Sequence, residues 1–196
     1  MTAGRPGPDE PVLELPSRER WREWLAERQA DSDGVWLKLA KAGKGAVTVS
    51  QADAVDVALC FGWIDGRAAP LDDCFWLQRF TPRRARSRWS KRNRARAEAL
   101  IRNGEMAPAG LREVERARAD GRWDAAYDSP ATATVPDDLQ RALDENPAAR
   151  DFFASLDRSN RYAVLYRIQE ARRPETRARR IGTLVAMLGE GRKLHP

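Results

Sequence analysis

Trp-Ile-Asp-Gly-Arg-Ala, residues 63–68, is followed after Ala-Pro-Leu-Asp by Asp-Cys-Phe-Trp-Leu-Gln-Arg-Phe, residues 73–80. Both runs carry aromatic or branched side chains, and Pro70-Leu71-Asp72-Asp73 is turn chemistry between them. The pattern predicts an antiparallel hairpin. Upstream, Val35, Leu37 and Leu39 alternate with Trp36, Lys38 and Ala40, which predicts a further strand over 35–41 with one buried face.

Helices surround these strands. Ser17 is placed to cap one from Arg18 to about Ala30, with Trp21, Trp24 and Leu25 on one face. Ser50 caps a second, with Asp53 as its box partner, Ala54, Val57, Ala58 and Phe61 inward, and Gly62 as its stop. Pro82 ends the hairpin. Ser87 or Ser90 then caps a helix to about Asn103, and another spans Pro108 to Asp120.

Beyond a Ser/Pro/Thr-rich stretch the pattern is wholly helical, with starts at Pro136, Asn146-Pro147, Ser159 and Pro174. The expected fold is therefore α+β: a small antiparallel sheet of about three strands packed on helices, followed by an all-helical C-terminal part. The expected division is a disordered tail over 1–12, an α+β domain over 13–128, a linker over 129–135 and a helical domain over 136–196.

Charge singles out the segment after the hairpin. From Arg79 to Ala97 there are nine cations and no Asp or Glu, in a chain whose net charge is only +6, so the remainder is net acidic. Ser87, Ser90 and Asn93 add neutral donors there, and a helix start adds free N–H groups. This is either an anion site or a solvated basic face. Asp65 falls near the level of Arg79 in the hairpin, either as an ion-pair or turn-capping partner or as a carboxylate in a pocket wall. Trp63, Trp76 and Trp89 flank the basic segment, either as core or as stacking surfaces for a flat ligand.

Several classes of chemistry have no support. His195 is the sole histidine and lies beside the last residue, so a His-based zinc site or catalytic pair is not expected. Ala42-Gly43-Lys44-Gly45 is not a P-loop. No metal or cofactor is expected. No apolar run approaches the roughly 18–20 residues of a membrane span. Met1 to Pro11 has no apolar signal core, and Cys60 and Cys74 read as buried free thiols, so a cytoplasmic protein is expected.

Ala-Leu-Cys-Phe-Gly-Trp-Ile-Asp-Gly (58–66), Arg-Phe-Thr-Pro-Arg (79–83), Ser-Arg-Trp-Ser-Lys-Arg-Asn (87–93), Gly121-Arg122-Trp123 and Arg-Arg-Pro-Glu-Thr-Arg-Ala-Arg-Arg-Ile (172–181) resemble the bacterial YdeI/OmpD-associated, or bacteriocin-protection, family from about Ser17 to Gly191. The resemblance implies a role in tolerance of antimicrobial peptides or bacteriocins and an association with an outer-membrane porin. It transfers no catalytic residue.

The expected function is binding of an anionic or aromatic small molecule or peptide by Asp65, Arg79, Arg83, Ser87, Trp89, Ser90, Asn93 and Trp63. Two alternatives stand beside it. The basic 79–96 stretch and a pI of about 9.8 permit nucleic-acid binding. An enzyme acting on an anionic substrate would use Asp65 as its acid/base, with Arg79 and Arg83 stabilising charge. The oligomeric state is not legible.

Overall fold

The computed structural model describes residues 5–171 and 173–195. Residues 1–4 of the expected tail and Arg172 of the basic C-terminal motif lie outside the described residues. The chain divides into two compact units. One runs to Trp89 and takes in Asn93–Ala126; the other comprises Ser90–Arg92 and the chain from Tyr127 onward.

The first unit is built on a four-stranded mixed sheet, β1 Val12–Leu13, β2 Val35–Ala40, β3 Trp63–Pro70 and β4 Phe75–Pro82, in the order β1-β2-β4-β3. The hairpin forms as its sequence predicts. Its turn is held by Asp72, whose Oδ1 accepts the backbone N–H groups of Cys74 and Phe75, each at 2.8 Å. β2 pairs antiparallel with β4, Trp36 facing Arg79 and Val35 facing Phe80.

β1 was not expected. Val12 and Leu13 pair in parallel with Trp36 and Leu37, across the expected boundary between the disordered tail and the α+β domain. Two residues are too few to show an alternation, and what orders them is distant in sequence: Trp36 N–H donates to Pro11 O at 2.9 Å.

Strand periodicity sorts the sheet into two faces. Val35, Leu37, Leu39, Phe80 and Trp63 enter the main core with Trp21 and Leu25 of helix α1 (Arg18–Arg28) and Ala54, Val57 and Ala58 of α2 (Gln51–Cys60). Trp21 joins the two helices by donating its indole N–H to Ala54 O at 3.0 Å. The Ser50 cap forms, with Asp53 N–H donating to Ser50 Oγ at 3.1 Å and the hydroxyl donating in turn to Asp53 Oδ2 at 2.6 Å. On the opposite face, Trp36, Ala69 and Leu77 make a small separate cluster.

α3 (Lys91–Arg102) and α4 (Pro108–Ala119) complete the first core through Ala97, Leu100, Val114 and Ala117. The approach of α4 to the end of α2 requires a residue without a side chain. A Cβ on Gly110 would stand 2.3 Å from Cys60 O.

The second unit packs α5 (Asp137–Asp144), α6 (Pro147–Ser155), α7 (Arg158–Gln169) and α8 (Pro174–Gly189) around Leu139, Leu143, Phe153, Val164, Ile168, Leu184 and Leu188. Ala133 and Val135 also pack on this core. Arg177 binds Asp138 with Nε and Nη2, at 2.6 and 2.8 Å, and donates from Nη1 to Ile168 O at 3.1 Å, so one side chain ties α5, α7 and α8 together. The cap of α7 is Asp157 rather than Ser159. Its carboxylate accepts both the backbone N–H of Asn160 at 2.8 Å and that residue's amide N–H at 2.9 Å, which a hydroxyl two positions later is not placed to do. No helix among the described residues is long and apolar enough to cross a membrane.

Candidate functional site

The outer face of the sheet carries a connected polar arrangement. Arg79 projects from β4 on the same face as Trp36, its partner on β2. Glu10, just before β1, meets both. Its Oε2 accepts the Trp36 indole N–H at 3.0 Å and the Gly7 backbone N–H at 2.9 Å, while Oε1 lies 3.3 Å from Arg79 Nη2. These partners hold the Glu10 carboxyl below the usual carboxylate range. The Gly7 N–H contributes most, then the Trp36 indole; burial opposes them, and the charges of Arg79 and Arg67 assist.

Arg79 is mostly buried, its side chain 13% exposed. Its Nη1 is enclosed yet donates to no described atom. Gly34 closes over the other nitrogen: at φ +134°, a Cβ there would fall 2.6 Å from Phe80 O and 2.9 Å from Arg79 Nη2. Beside Arg79 runs a groove of about 630 Å³ lined by Arg67, Arg79, Arg83 and Arg84, by the carboxylates of Glu10 and Asp33, and by Gly66, Thr81 and Pro82. Four arginines against two carboxylates leave it electropositive. Arg67 also covers Trp36, its guanidinium 5.6 Å from the ring centre.

Of the expected site residues, Arg79 and Arg83 meet at this groove, and Asp65, Trp63 and Trp89 do not line it. Asp65 pairs with Phe80, which puts it on the core-facing side of β3, whereas Arg79 one position away points to the outer face. The hairpin brings them level but on opposite sides, and Arg79 takes Glu10 as its partner instead. The combination of Asp65 as acid/base with Arg79 beside it is therefore corrected by the sheet register.

Trp63 and Trp89 are each 1% exposed and belong to the main core. Trp63 meets Trp21 and Trp24 edge-on at 6.3 and 6.0 Å, and Trp89 meets Trp123 at 4.9 Å. Neither indole is a surface on which a ligand can stack.

Arg83 lies over Trp89 at 3.7 Å and donates from Nη1 to Arg88 O at 3.2 Å. Ser87 Oγ accepts the Arg84 N–H at 2.9 Å, and its carbonyl accepts from Arg122 Nη1 at 2.8 Å. Arg83 and Arg122 thus hold the 84–89 loop, with Arg83 also reaching the groove. Ser90, in the second unit, immediately precedes α3, and Asn93 sits in the first turn of that helix.

The basic run is also dispersed. Arg94 donates to Trp123 O at 3.2 Å, Arg96 lies 3.2 Å from Asp56 Oδ1, and Lys91 pairs with Asp128 at 2.8 Å. With Arg79 and Arg83, at least five of the nine cations serve contacts with other described residues.

Sequence reasoning passed over Glu10, Arg67, Arg84 and Trp36 as site residues. One signal was present. The β2 alternation sets Trp36 and Lys38 opposite the apolar face, which marks that side of the sheet as more than bare surface.

The sheet, its helical cover and the arginine-lined groove define an α+β protein with a basic groove beside Arg79. The chain belongs to the family described as Domain of unknown function (DUF8412), whose model matches residues 13–113. Residues 132–191 match the family Bacteriocin-protection, YdeI or OmpD-Associated. No curated protein and no solved structure matches the chain. Of the motifs that carry the YdeI/OmpD resemblance, 172–181 lies in the second match, 58–66, 79–83 and 87–93 lie in the first, and 121–123 lies between them.

Proposed function

We propose that this protein acts by binding a small organic anion, a carboxylate or phosphate compound, in the Arg67/Arg79/Arg84 groove, and that this binding serves antimicrobial tolerance in the cytoplasm. The observation that carries the reading is the enclosed Nη1 of Arg79, which donates to no described atom at the wall of an electropositive groove. A buried guanidinium N–H without an acceptor is costly, and an incoming oxyanion relieves that cost while making a charge-assisted hydrogen bond. Arg67 and Arg84 supply flanking forks suited to planar or tetrahedral oxyanions.

A cationic antimicrobial peptide does not suit such a groove, because like charges repel. The tolerance role rests on the YdeI/OmpD-associated match. The cytoplasmic location draws support from two free cysteines, Cys60 and Cys74. Cell fractionation with the endogenous protein tests it, and recovery in an envelope fraction would remove it.

Binding is tested by thermal-shift titration with acetate, succinate and citrate at fixed ionic strength. Saturable stabilisation is expected, greatest for the polyacids. Phosphate-backbone binding would instead show as retention of DNA or RNA that collapses with added salt, and that result would overturn the small-anion reading.

A further inference from the structure

The C-terminal motif Pro-Glu-Thr-Arg-Ala-Arg-Arg-Ile, residues 174–181, opens α8 and divides its side chains between two directions. Arg177 turns to Asp138 and the end of α7, and Ile181 enters the core. Thr176, Arg179, Arg180 and Thr183 follow the spacing i, i+3, i+4 and i+7, which lines them along another face of the helix. That face borders a depression of about 430 Å³, also lined by Arg167 of α7, Glu170 at the end of that helix and Leu184.

We propose that this depression is a second binding site, separate from the sheet groove, for a phosphate monoester. The arginines play different parts. Arg180 is positioned, donating to Arg167 O and lying 3.7 Å from Glu170. The guanidinium groups of Arg167 and Arg179 make no hydrogen bond or ion pair with any described residue, so one cation from each helix remains available. Glu170 offsets Arg180, and the site keeps the positive charge of the other two.

Two guanidinium groups from two helices suit an anion with several oxygens more than a monocarboxylate, which one fork already satisfies. Thr176 adds a hydroxyl, a group that completes oxyanion sites without adding charge, while Thr183 donates its hydroxyl to Arg179 O at 3.0 Å. The volume lies within the ordinary range for small-molecule sites, about 300–1,000 Å³.

The test is isothermal titration of the full chain with inorganic phosphate and with glycerol 1-phosphate, at ionic strength matched with chloride. Saturable binding is expected, with glycerol 1-phosphate bound at least as tightly as phosphate. The double variant Arg167→Gln/Arg179→Gln is expected to weaken binding, followed by the amide shifts of Thr176 and Thr183, by about tenfold or more, while Arg150→Gln, at an exposed arginine paired with Asp151 outside the depression, leaves it unchanged. Amide NMR of the unaltered protein supplies a readout that needs no variant: phosphate is expected to shift Thr176, Arg179 and Thr183. Absence of saturable binding, equal affinity in the double variant, or shifts confined to the sheet groove would overturn the proposal.

Discussion

Arg79 Nη2 lies 3.3 Å from Glu10 Oε1, so the chain just before β1 is fastened to the outer face of β4 through a carboxylate. The same carboxylate takes the Trp36 indole N–H, which makes Glu10 the joint between the N-terminal segment and the basic groove.

Acid should loosen that joint. The folded-state pKa of Glu10 is depressed, so its contribution is fully present above the ordinary glutamate value of about 4.3 and is lost as pH falls through the lower folded value. Glu10→Gln is expected to lower stability at neutral pH by about 1 kcal/mol or less. Its melting temperature should also fall less steeply than the parent's below about pH 4.3. Thermal melts across pH 3–7 check this, and parallel curves would contradict it.

Gly110 is expected to be intolerant of any side chain. A Cβ would meet Cys60 O at 2.3 Å and Leu59 O at 2.7 Å, both backbone atoms that cannot rotate away. Gly110→Ala should destabilise by about 3 kcal/mol or more, despite alanine's better helix propensity. Urea denaturation measures the difference, and a neutral or stabilising outcome would refute the close packing of α4 on α2.

Trp89 is expected to act on stability rather than recognition. Its ring is buried beneath the Arg83 guanidinium and against Trp123. Trp89→Ala should cost about 3–5 kcal/mol. Trp89→Phe, which keeps an aromatic ring under Arg83, should recover much of that loss and bind the carboxylate probes as the parent does. A Trp89→Phe protein of parental stability that no longer binds would return Trp89 to the site.

The hairpin was legible because Trp63, Ile64, Phe75, Trp76 and Phe80 and the Pro70–Asp73 turn are local signals. The helix cap at Ser50 and the Asn146-Pro147 helix start were legible for the same reason. β1 was not, because its pairing depends on Trp36, over twenty residues away and parallel to it. The site was half visible. Charge density drew attention to Arg79 and Arg83, but the sequence cannot show that Asp65 faces Phe80 across the register, or that Trp63 and Trp89 are spent inside the core. Glu10, in a Pro/Gly-rich stretch, carried no pattern by which to find it. Its partners converge only when the sheet has formed.

The most direct test of the account is citrate binding by Arg79→Gln beside Asp65→Asn, measured by calorimetry on folded proteins at fixed ionic strength. The groove reading predicts that Arg79→Gln loses affinity by about tenfold or more, while Asp65→Asn, on the opposite face, binds as the parent does. Unchanged binding in Arg79→Gln, or a comparable loss in Asp65→Asn, would contradict it.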